Sequence, residues 1–424
     1  MKFVELEKQE FIEYSQSHPQ GLFFQSPYWI EIKEQNGWQG KIVGIKKDGK
    51  IIAATILLIK KVIGNIRFAY APRGFLLDYS DFPLLEVFTN EIKSYLKNLG
   101  VAFLKINPYV DYQLRDVNGE PMENTKNDAL MEKLKSLGYI HYGFYVDMDE
   151  KKDLEPRWIS VLDIKGKTID ELFKNFRSGT KWGINNSKKN FITMVEANED
   201  NLFEFKNLME HTSERRGFVD RPLSYYTEMF KILKRENAVK VLFAEINFKE
   251  LLEFTKARYE KNAKRLEVIK DNPKKQKEFN EISSEQKSLE PRLETLHKNV
   301  EEFGEKKIIA GGWYMLYGRE IVYLFGASYK PFMRYNSQYL LQYEMLKFAI
   351  DEGYDKFNFY GIDGNFDENS VNYGLFDFKR GFNADVHELI GEFDLIVNKS
   401  LYKQYNLLFK GYKVMKAIQK KLIK

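Results

Sequence analysis

Residues 248–306 carry the clearest hydrophobic pattern of the chain, a helical stripe inside a highly charged segment. In the second half of the segment, apolar residues recur mostly at steps of three and four, the spacing of a coiled-coil seam: Phe279, Ile282, Leu289, Leu293, Leu296, Val300 and Phe303. The first half carries a matching stripe: Leu252, Tyr259, Leu266 and Ile269. Asp271-Asn272-Pro273 predicts a reversal between them, because a residue before proline is pushed out of helical conformation. The pattern therefore predicts an antiparallel helical arm, in which Pro291 favours a kink.

Strand-like runs on both sides of the arm repeat a pattern found earlier in the chain. The first copy predicts two hairpin strands, a third strand, a helix and a fourth strand at residues 41–46, 50–59, 66–70, 82–99 and 102–106. The second copy predicts the same order at residues 240–246, 307–316, 320–325, 337–352 and 356–360. Lys-Ile-Ile-Ala begins the second strand of both copies. Asp48-Gly49, a preferred hairpin turn, stands in the first copy where the second has the arm, so the arm is predicted to be an enlarged turn.

These patterns predict two tandem α/β domains, residues 1–152 and residues 153–398, with the arm inside the second. A third segment, residues 399–424, holds eight lysines and no acidic residue. Its apolar stripe predicts an amphipathic helix: Leu401, Tyr405, Leu408, Tyr412, Met415, Ile418 and Leu422. Such a helix suits a membrane surface, where each lysine near an anionic leaflet contributes about 1 kcal/mol. A helix docked on the body with a solvated basic face is the alternative.

The amino-acid composition excludes several kinds of site and argues against some functions. Lys+Arg 66 against Asp+Glu 61 gives a net charge of +5, too small to argue for duplex DNA binding but compatible with a local basic patch. The absence of cysteine excludes disulfides, a thiolate nucleophile and cysteine-ligated metals. The histidines lack metal-ligand spacing, so we expect no metal. No apolar signal core or run of about 18 apolar residues is present, so we expect a soluble, cytoplasmic protein.

The chain lacks the phosphate-loop, nucleophile-elbow and dinucleotide-binding motifs, which argues against nucleotide hydrolysis. Three other stretches combine cations with aromatic residues, at 25–33, 215–226 and 373–382. In the first, Ser26 is a good helix N-cap and Pro27 a good first residue, which places Lys33 about two turns into the helix. A solvated helix lysine is the alternative for Lys33.

The other two stretches suggest binding surfaces. Arg221 precedes a predicted helix start and Tyr225 follows one turn later, which suits a phosphate grip beside an aromatic face, although an ordinary surface arginine is the alternative. If the third stretch is extended, Phe378 and Lys379 face opposite sides, so that one is buried and the other displayed, or both line the edge of a cleft.

These motifs together resemble the Fem family, the FemA-, FemB-, FemX- and MurM-type aminoacyltransferases of peptidoglycan cross-bridges. The resemblance spans nearly the whole chain and rests on these segments: Phe23-Phe24-Gln25-Ser26 with Trp29 and Lys33, Arg221-Pro222-x-x-Tyr225, residues 323–328, Tyr360-Gly361-Ile362, Phe376-x-Phe378-Lys379-x-x-Phe382, and the arm. It implies two GNAT-like acyltransferase domains with a coiled-coil arm in the second. It also implies transfer of an amino acid from aminoacyl-tRNA to the side-chain amine of the third stem-peptide residue, on lipid II or a related UDP-MurNAc-peptide.

The resemblance also implies roles for individual residues. Lys33 and Arg221 match cations that hold the diphosphate of the precursor, and Tyr225 matches an aromatic residue of the same pocket. Lys379 matches a lysine near the tRNA acceptor end, where a fixed cation neutralises phosphate charge and stabilises the oxyanion formed when an amine attacks the ester. Phe378 matches a residue beside the terminal adenosine, which suits base stacking.

Two further positions depart from the pattern of the arm-less family member. Phe325 stands in place of a tyrosine of the acceptor-end site, so a hydroxyl role is not implied there. Asn107 stands in place of an aspartate, which weakens any claim for a carboxylate general base at that position. The resemblance implies no cofactor, because aminoacyl-tRNA is the co-substrate.

Other function classes remain open at this point. An acyl-CoA-dependent N-acyltransferase would share the fold, but neither copy shows the Arg/Gln-x-x-Gly-x-Gly/Ala loop that cradles the pyrophosphate of the donor. A non-catalytic scaffold would use the arm for assembly and would tolerate loss of Lys379. The arm is predicted to touch tRNA or a homologous transferase partner, or to be a solvated spacer. A peripheral position on the inner face of the membrane is expected if the C-terminal segment binds lipid.

Overall fold

Two mixed sheets with flanking helices form the body of the protein in the computed structural model, which describes residues 1–147 and 154–409. The strands are β1 (Lys2–Glu5), β2 (Gln39–Lys47), β3 (Lys50–Ile63), β4 (Ile66–Ala71), β5 (Val101–Ile106), β6 (Asp111–Leu114), β7 (Tyr139–His141), β8 (Trp158–Asp163), β9 (Ile192–Glu196), β10 (Val239–Asn247), β11 (Lys306–Tyr317), β12 (Glu320–Ser328), β13 (Lys356–Gly361), β14 (Asp385–Leu389) and β15 (Phe393–Ile396). The helices are α1 (Lys8–Ser17), α2 (Pro27–Glu34), α3 (Phe82–Asn98), α4 (Asp128–Ser136), α5 (Ile169–Asn175), α6 (Ser178–Lys189), α7 (Phe203–Arg216), α8 (Leu223–Arg235), α9 (Phe248–Ile269), α10 (Gln276–Phe303), α11 (Ser337–Asp351) and α12 (Tyr373–Arg380).

The predicted internal repeat is confirmed by the strand order. The first sheet has the order β1-β2-β3-β4-β5-β15-β7, and the second has the order β6-β14-β8-β13-β12-β11-β10-β9. In both sheets two antiparallel pairs are followed by a parallel pair, β4 with β5 and β12 with β13, and a helix crosses between the parallel strands. Asp48 and Gly49 form the predicted turn, since both have positive φ, 51° and 79°.

The two sheets exchange strands. β6, early in the chain, pairs with β14 in the second sheet, and β15, late in the chain, lies between β5 and β7 in the first sheet. Asp394 of β15 pairs with Lys105 of β5, and their side chains form an ion pair of 3.2 Å. The predicted domain boundary at residues 152 and 153 lies outside the described residues. A single cut there would not separate the two sheets.

The first two helices belong to the core of the second sheet as much as to that of the first. Buried residues of α1 and α2 join a continuous apolar cluster with β10 to β13. The Ser15 and Tyr317 hydroxyls lie 2.6 Å apart, and Tyr28 packs edge-on against Tyr317. Tyr109, between β5 and β6, donates a hydrogen bond of 3.0 Å to Glu320 at the start of β12. These contacts fix the first half of the chain against the second.

The predicted arm is present and leaves the second sheet where the repeat places it. Asn247 at the end of β10 pairs directly with Lys306 at the start of β11, and α9 and α10 fill the interval between them. The seam of the arm mixes apolar contacts with hydrogen bonds such as that from Asn262 to Glu285 at 3.0 Å. The helix α10 runs without a break through Pro291.

The described part of the C-terminal segment is a helix over residues 399–409 that docks on the first sheet. Leu401, Tyr402 and Tyr405 pack against Ile66 and Phe103. The remainder of the predicted amphipathic helix, residues 410–424, lies outside the described residues, so its membrane role stays a prediction. Within residues 1–147 and 154–409, no helix is both long and apolar enough to cross a bilayer.

Shortening the arm tests whether it folds on a self-sufficient body. Replacement of residues 262–285 by a short Gly-Asn-Gly turn removes the distal helices but keeps the base, where Phe248 contacts Phe303 and Phe332. We expect the free energy of unfolding of the body, measured by urea titration, to stay within about 1 kcal/mol of the wild type. The matched variant Phe248→Ala, at a fully buried residue, should lower it by about 3–5 kcal/mol. Equal losses in both variants would show that the distal arm stabilises the body.

Candidate active site

Helix α2 places Lys33 as its sequence predicts. The Ser26 hydroxyl caps the helix by accepting a hydrogen bond from the Trp29 backbone at 3.2 Å, and Pro27 is the first residue of the helix. The Lys33 ammonium lies 4.1 Å from the centre of the Trp29 ring. Burial lowers the pKa of Lys33, and the positive charge of Arg221 acts in the same direction, whereas Glu155 raises that pKa. Lys33 is therefore partly withdrawn from solvent, next to both a cation and a carboxylate.

Arg221 lies just before α8 and between two aromatic rings. Its guanidinium carbon is 5.2 Å from the centre of the Tyr225 ring and 5.5 Å from that of Phe325. Asp220 fixes this turn, because its carboxylate accepts hydrogen bonds from the Arg221 backbone at 2.7 Å and the Tyr226 hydroxyl at 2.8 Å. Phe325 thus packs on the cation of the predicted diphosphate site.

Glu155 is a central residue of this site that the sequence did not single out. Its carboxylate accepts a hydrogen bond from the Tyr360 hydroxyl. Burial raises the pKa of Glu155, although the charges of Arg73 and Lys33 act against the shift. Glu155 also acts on the pKa values of Lys33 and Tyr225. Its neighbours in sequence carry no motif, so no local signal separates it from the other glutamates.

Tyr360 reaches Glu155 because β13 is irregular at that point. The pairing of β13 with β8 shifts register between Asn358 and Tyr360, and Tyr360 has a φ of 67°, which is uncommon for a residue other than glycine. The Asn358 side chain holds this conformation by accepting a hydrogen bond of 2.7 Å from the Tyr360 backbone. The Tyr360 ring stacks on Phe24, with 5.8 Å between the ring centres. The motifs at residues 23–26 and 360–362 therefore meet in space.

Asn107 supports the same region from behind. Its side-chain oxygen accepts hydrogen bonds from the Arg73 backbone at 2.8 Å and from the Tyr70 hydroxyl at 3.2 Å. Arg73 in turn donates a hydrogen bond of 2.7 Å to the Pro156 carbonyl, directly after Glu155. Asn107 is buried, and its amide nitrogen has no hydrogen-bond partner among the described residues. In this structure Asn107 positions the Arg73 turn.

The extended conformation considered for residues 373–382 is wrong for most of the stretch, because residues 373–380 form α12. The buried residues Phe376 and Lys379 are three positions apart and so share one helix face, a spacing visible in the sequence. The Lys379 ammonium donates a hydrogen bond of 2.6 Å to the Gly361 carbonyl, and burial lowers the pKa of Lys379 to about 7. Phe378 is half-buried and lies 4.9 Å from Tyr339, ring centre to ring centre.

The predicted site residues thus fall into two groups joined by Tyr360 and Gly361. Lys33, Arg221, Tyr225 and Phe325 share a neighbourhood with Glu155, Arg73 and Tyr360. Lys379 contacts Gly361 at the same strand end, and Phe378 precedes Lys379 in α12. Asn107 lies behind the first group. Three cations beside one carboxylate leave a net positive charge that suits a doubly charged anion.

Comparison with known proteins identifies the family of the chain. The model of the FemAB family matches residues 6–410. The chain belongs to the FemAB family. It is 34% identical over 418 residues to "Aminoacyltransferase FemA" of Staphylococcus aureus (strain bovine RF122 / ET3-1), which covers 97% of this chain and 99% of the relative. FemA of strain MRSA252 is equally similar, at 34% over the same coverage.

A solved structure supports the assignment to the FemAB family. The crystal structure of FemX aligns with a TM-score of 0.77 and 28% identity, covering 95% of this chain and 99% of FemX. The predicted fold class is confirmed: a mixed α/β architecture with two sheets and an inserted antiparallel helix pair. As a FemAB member, the protein is an aminoacyltransferase of peptidoglycan cross-bridge formation. Its family membership implies aminoacyl-tRNA and a peptidoglycan precursor as substrates.

Because Lys379 is buried, the free energy of unfolding should depend on pH. Its folded-state pKa, about 7, lies below the usual 10.5, so between these values the unfolded chain binds a proton that the folded chain does not. Raising the pH through this window therefore favours folding, by about 1.4 kcal/mol per pH unit from this residue. We expect the free energy of unfolding of the wild type to rise with this slope relative to that of Lys379→Met. Parallel pH profiles for the two proteins, measured by urea titration, would contradict the assigned pKa.

Proposed function

We propose that the protein transfers an amino acid from aminoacyl-tRNA to the side-chain amine of the third stem-peptide residue of lipid II or a related UDP-MurNAc-peptide. The observation that carries this proposal is the junction at Tyr360 and Gly361. Tyr360 contacts Glu155, which lies among cations suited to a diphosphate, and Gly361 accepts a hydrogen bond from the buried Lys379. A precursor held by its diphosphate and an ester held near Lys379 would meet at this strand end.

On the acceptor side, Lys33 and Arg221 hold the diphosphate. Lys33 has lost part of its hydration and Arg221 is framed by Tyr225 and Phe325, so an entering diphosphate meets poorly solvated cations, which strengthens the attraction. Lipid II and UDP-MurNAc-peptides both carry a diphosphate, so this grip serves either form. The aromatic rings limit the orientations that the bound group can take.

On the donor side, Phe378 stacks on the terminal adenosine and Lys379 lies near the ester. A lysine with a pKa of about 7 is only partly protonated near neutral pH in the free protein. An approaching phosphate or oxyanion favours its charged form, so substrate binding raises the pKa of Lys379. The charge then appears where the tetrahedral intermediate develops negative charge.

The chemistry requires positioning and removal of one proton. The neutral acceptor amine forms a bond from its nitrogen to the ester carbonyl carbon, the bond from that carbon to the ribose oxygen breaks, and one proton of the amine is transferred to the departing oxygen. The ester is already activated, so no nucleophilic residue is needed. Glu155, which lies in the group of the acceptor cations and accepts a hydrogen bond from Tyr360, is the carboxylate that takes this proton from the nitrogen and passes it to the departing oxygen.

The aminoacyl-tRNA donor places the reaction on the cytoplasmic side of the membrane. The basic C-terminal segment would attach the protein peripherally to the inner leaflet, where a lipid-linked acceptor resides. The arm would contact tRNA or a homologous transferase.

Transfer of labelled amino acids from a mixed aminoacyl-tRNA pool to lipid II tests the reaction. The wild type should label lipid II, and Lys379→Ala should lose at least about 100-fold in kcat, because one preorganised donor to the oxyanion is worth that much. Lys33→Ala and Arg221→Ala should each raise KM for lipid II roughly 10- to 100-fold, since each removes a charged contact to phosphate.

A stem-peptide acceptor without the diphosphate is the matched control. With this acceptor, the wild type, Lys33→Ala and Arg221→Ala should have the same KM. A loss of equal size with and without the diphosphate would exclude the phosphate grip. Absence of labelled lipid II and of labelled UDP-MurNAc-peptide with folded wild type would exclude the reaction.

Glu155→Gln tests the proton acceptor. The substitution keeps the shape and a hydrogen-bond acceptor for Tyr360 but cannot take a proton, so kcat should fall by about 100-fold or more. The wild type should show an acidic limb in the pH profile of kcat, because Glu155 has a raised pKa and is inactive as a base when protonated. This limb should be absent in Glu155→Gln. If Glu155→Gln keeps the wild-type kcat and the acidic limb of its pH profile, Glu155 is not the proton acceptor.

A further inference from the structure

Helix α6 displays an unusual aromatic residue in a basic setting. Trp182 is 62% exposed, whereas the other tryptophans are buried or half-buried: Trp29, Trp38, Trp158 and Trp313. The helix also carries Lys181, Lys188 and Lys189 and contains no acidic residue. A single exposed apolar side chain is common on protein surfaces, so Trp182 indicates a binding surface only together with surroundings that fit a ligand.

The location of α6 connects Trp182 to the donor side of the site. Gly183, the next residue, packs so closely on the Tyr339 ring that a β-carbon would lie 2.8 Å from it. Tyr339 contacts Phe378, the residue proposed to stack on the terminal adenosine. Thr180, one turn earlier, touches Gly381 at the end of α12 in the same way. Helix α6, which carries Trp182, is therefore packed closely against Tyr339 and Gly381, and Tyr339 connects it to Phe378.

The basic face of α6, defined by Lys181, Trp182, Lys188 and Lys189, continues towards the arm. A groove of about 390 Å³ follows at the end of α6, lined in part by Asn186, Asn190, Arg292 and Arg334. Arg334 is exposed, and Arg292 of the arm donates a hydrogen bond of 2.8 Å to Asn190.

An acidic neighbour of this surface is already neutralised. Asp377 of α12 forms ion pairs with Arg177 at 2.8 Å and with Arg380 at 2.5 Å. Asp377 therefore contributes little negative charge beside the basic face of α6.

We propose that the basic face of α6 binds the single-stranded 3′ end of the aminoacyl-tRNA, with Trp182 stacking on a nucleobase upstream of the terminal adenosine. The inference rests on the proposed function for the identity of the donor. Every base has a π-face, so an exposed ring suits any tRNA sequence, while the lysines follow the phosphates. The groove between α6 and Arg292 receives the strand on its way from the acceptor stem.

Tryptophan and lysine together also suit an anionic membrane surface. RNA is favoured here because α6, the helix that carries Trp182, packs through Gly183 on Tyr339, and Tyr339 contacts Phe378 of the proposed donor site. Membrane binding would not require the packing of α6 against the residues of the donor site. The experiment must therefore distinguish binding of RNA from binding of vesicles.

The experiment compares Trp182→Ala with Trp182→Phe, which keeps a stacking ring, and with Phe203→Ala, which removes an exposed ring from α7. Transfer kinetics should show a rise in KM for aminoacyl-tRNA of about 5- to 100-fold in Trp182→Ala, the range expected for loss of one stacked base. KM for the acceptor should not change. Trp182→Phe should recover most of the loss, and Phe203→Ala should behave as the wild type.

A binding measurement separates this inference from the proposed reaction. A short RNA oligonucleotide ending in CCA should quench the tryptophan fluorescence of the wild type but not that of Trp182→Ala, whether or not transfer is observed. If the wild type is active and Trp182→Ala has an unchanged KM for aminoacyl-tRNA, the role of Trp182 is excluded but the proposed reaction is not. Inactive wild type would overturn the reaction, and absence of quenching would overturn the inference. Quenching by phosphatidylglycerol vesicles instead of RNA would assign the surface to membrane.

Discussion

The irregular end of β13 is the constraint on which the site depends. A regular strand would alternate its side chains across the sheet, but the register shift before Tyr360 and its left-handed backbone turn the tyrosine towards Phe24 and Glu155. The next residue, Gly361, offers its carbonyl to Lys379. One short segment therefore fixes a carboxylate from the link between the sheets and a buried lysine from α12. Backbone conformations of this kind persist only when surrounding contacts hold them, as Asn358 does here.

Strand exchange supplies the rigidity that this segment needs. Because β15 completes the first sheet and β6 extends the second, the two halves of the chain are bound by backbone hydrogen bonds as well as by side-chain packing. The Lys33 and Arg73 side chains come from the first half, and the Arg221 and Lys379 side chains from the second. Their relative positions are therefore set by the shared sheets, which is the condition for catalysis by positioning.

Local patterns predicted the parts of the fold that local interactions create. The Asp48-Gly49 turn, the cap at Ser26 and the stripes of the arm each depend on residues close in sequence, so each was visible. Strand exchange depends on pairing over long sequence separations and leaves no periodic signal. Glu155 was missed for the same reason, because its environment is assembled from distant segments. The helix at residues 373–380 could have been predicted from the spacing of Phe376 and Lys379, but only an extended conformation was considered for this stretch.

A crystal structure with a UDP-MurNAc-peptide and a stable aminoacyl-adenosine analogue would show directly whether donor and acceptor meet at Tyr360 and Gly361. We expect a diphosphate within hydrogen-bonding distance of Lys33 and Arg221 and a carbonyl group beside Lys379. The acceptor amine should lie about 3–3.5 Å from the carbonyl carbon, with Glu155 next to it. A diphosphate bound away from both cations, or ligands whose reacting atoms lie on different surfaces of the protein, would contradict this expectation.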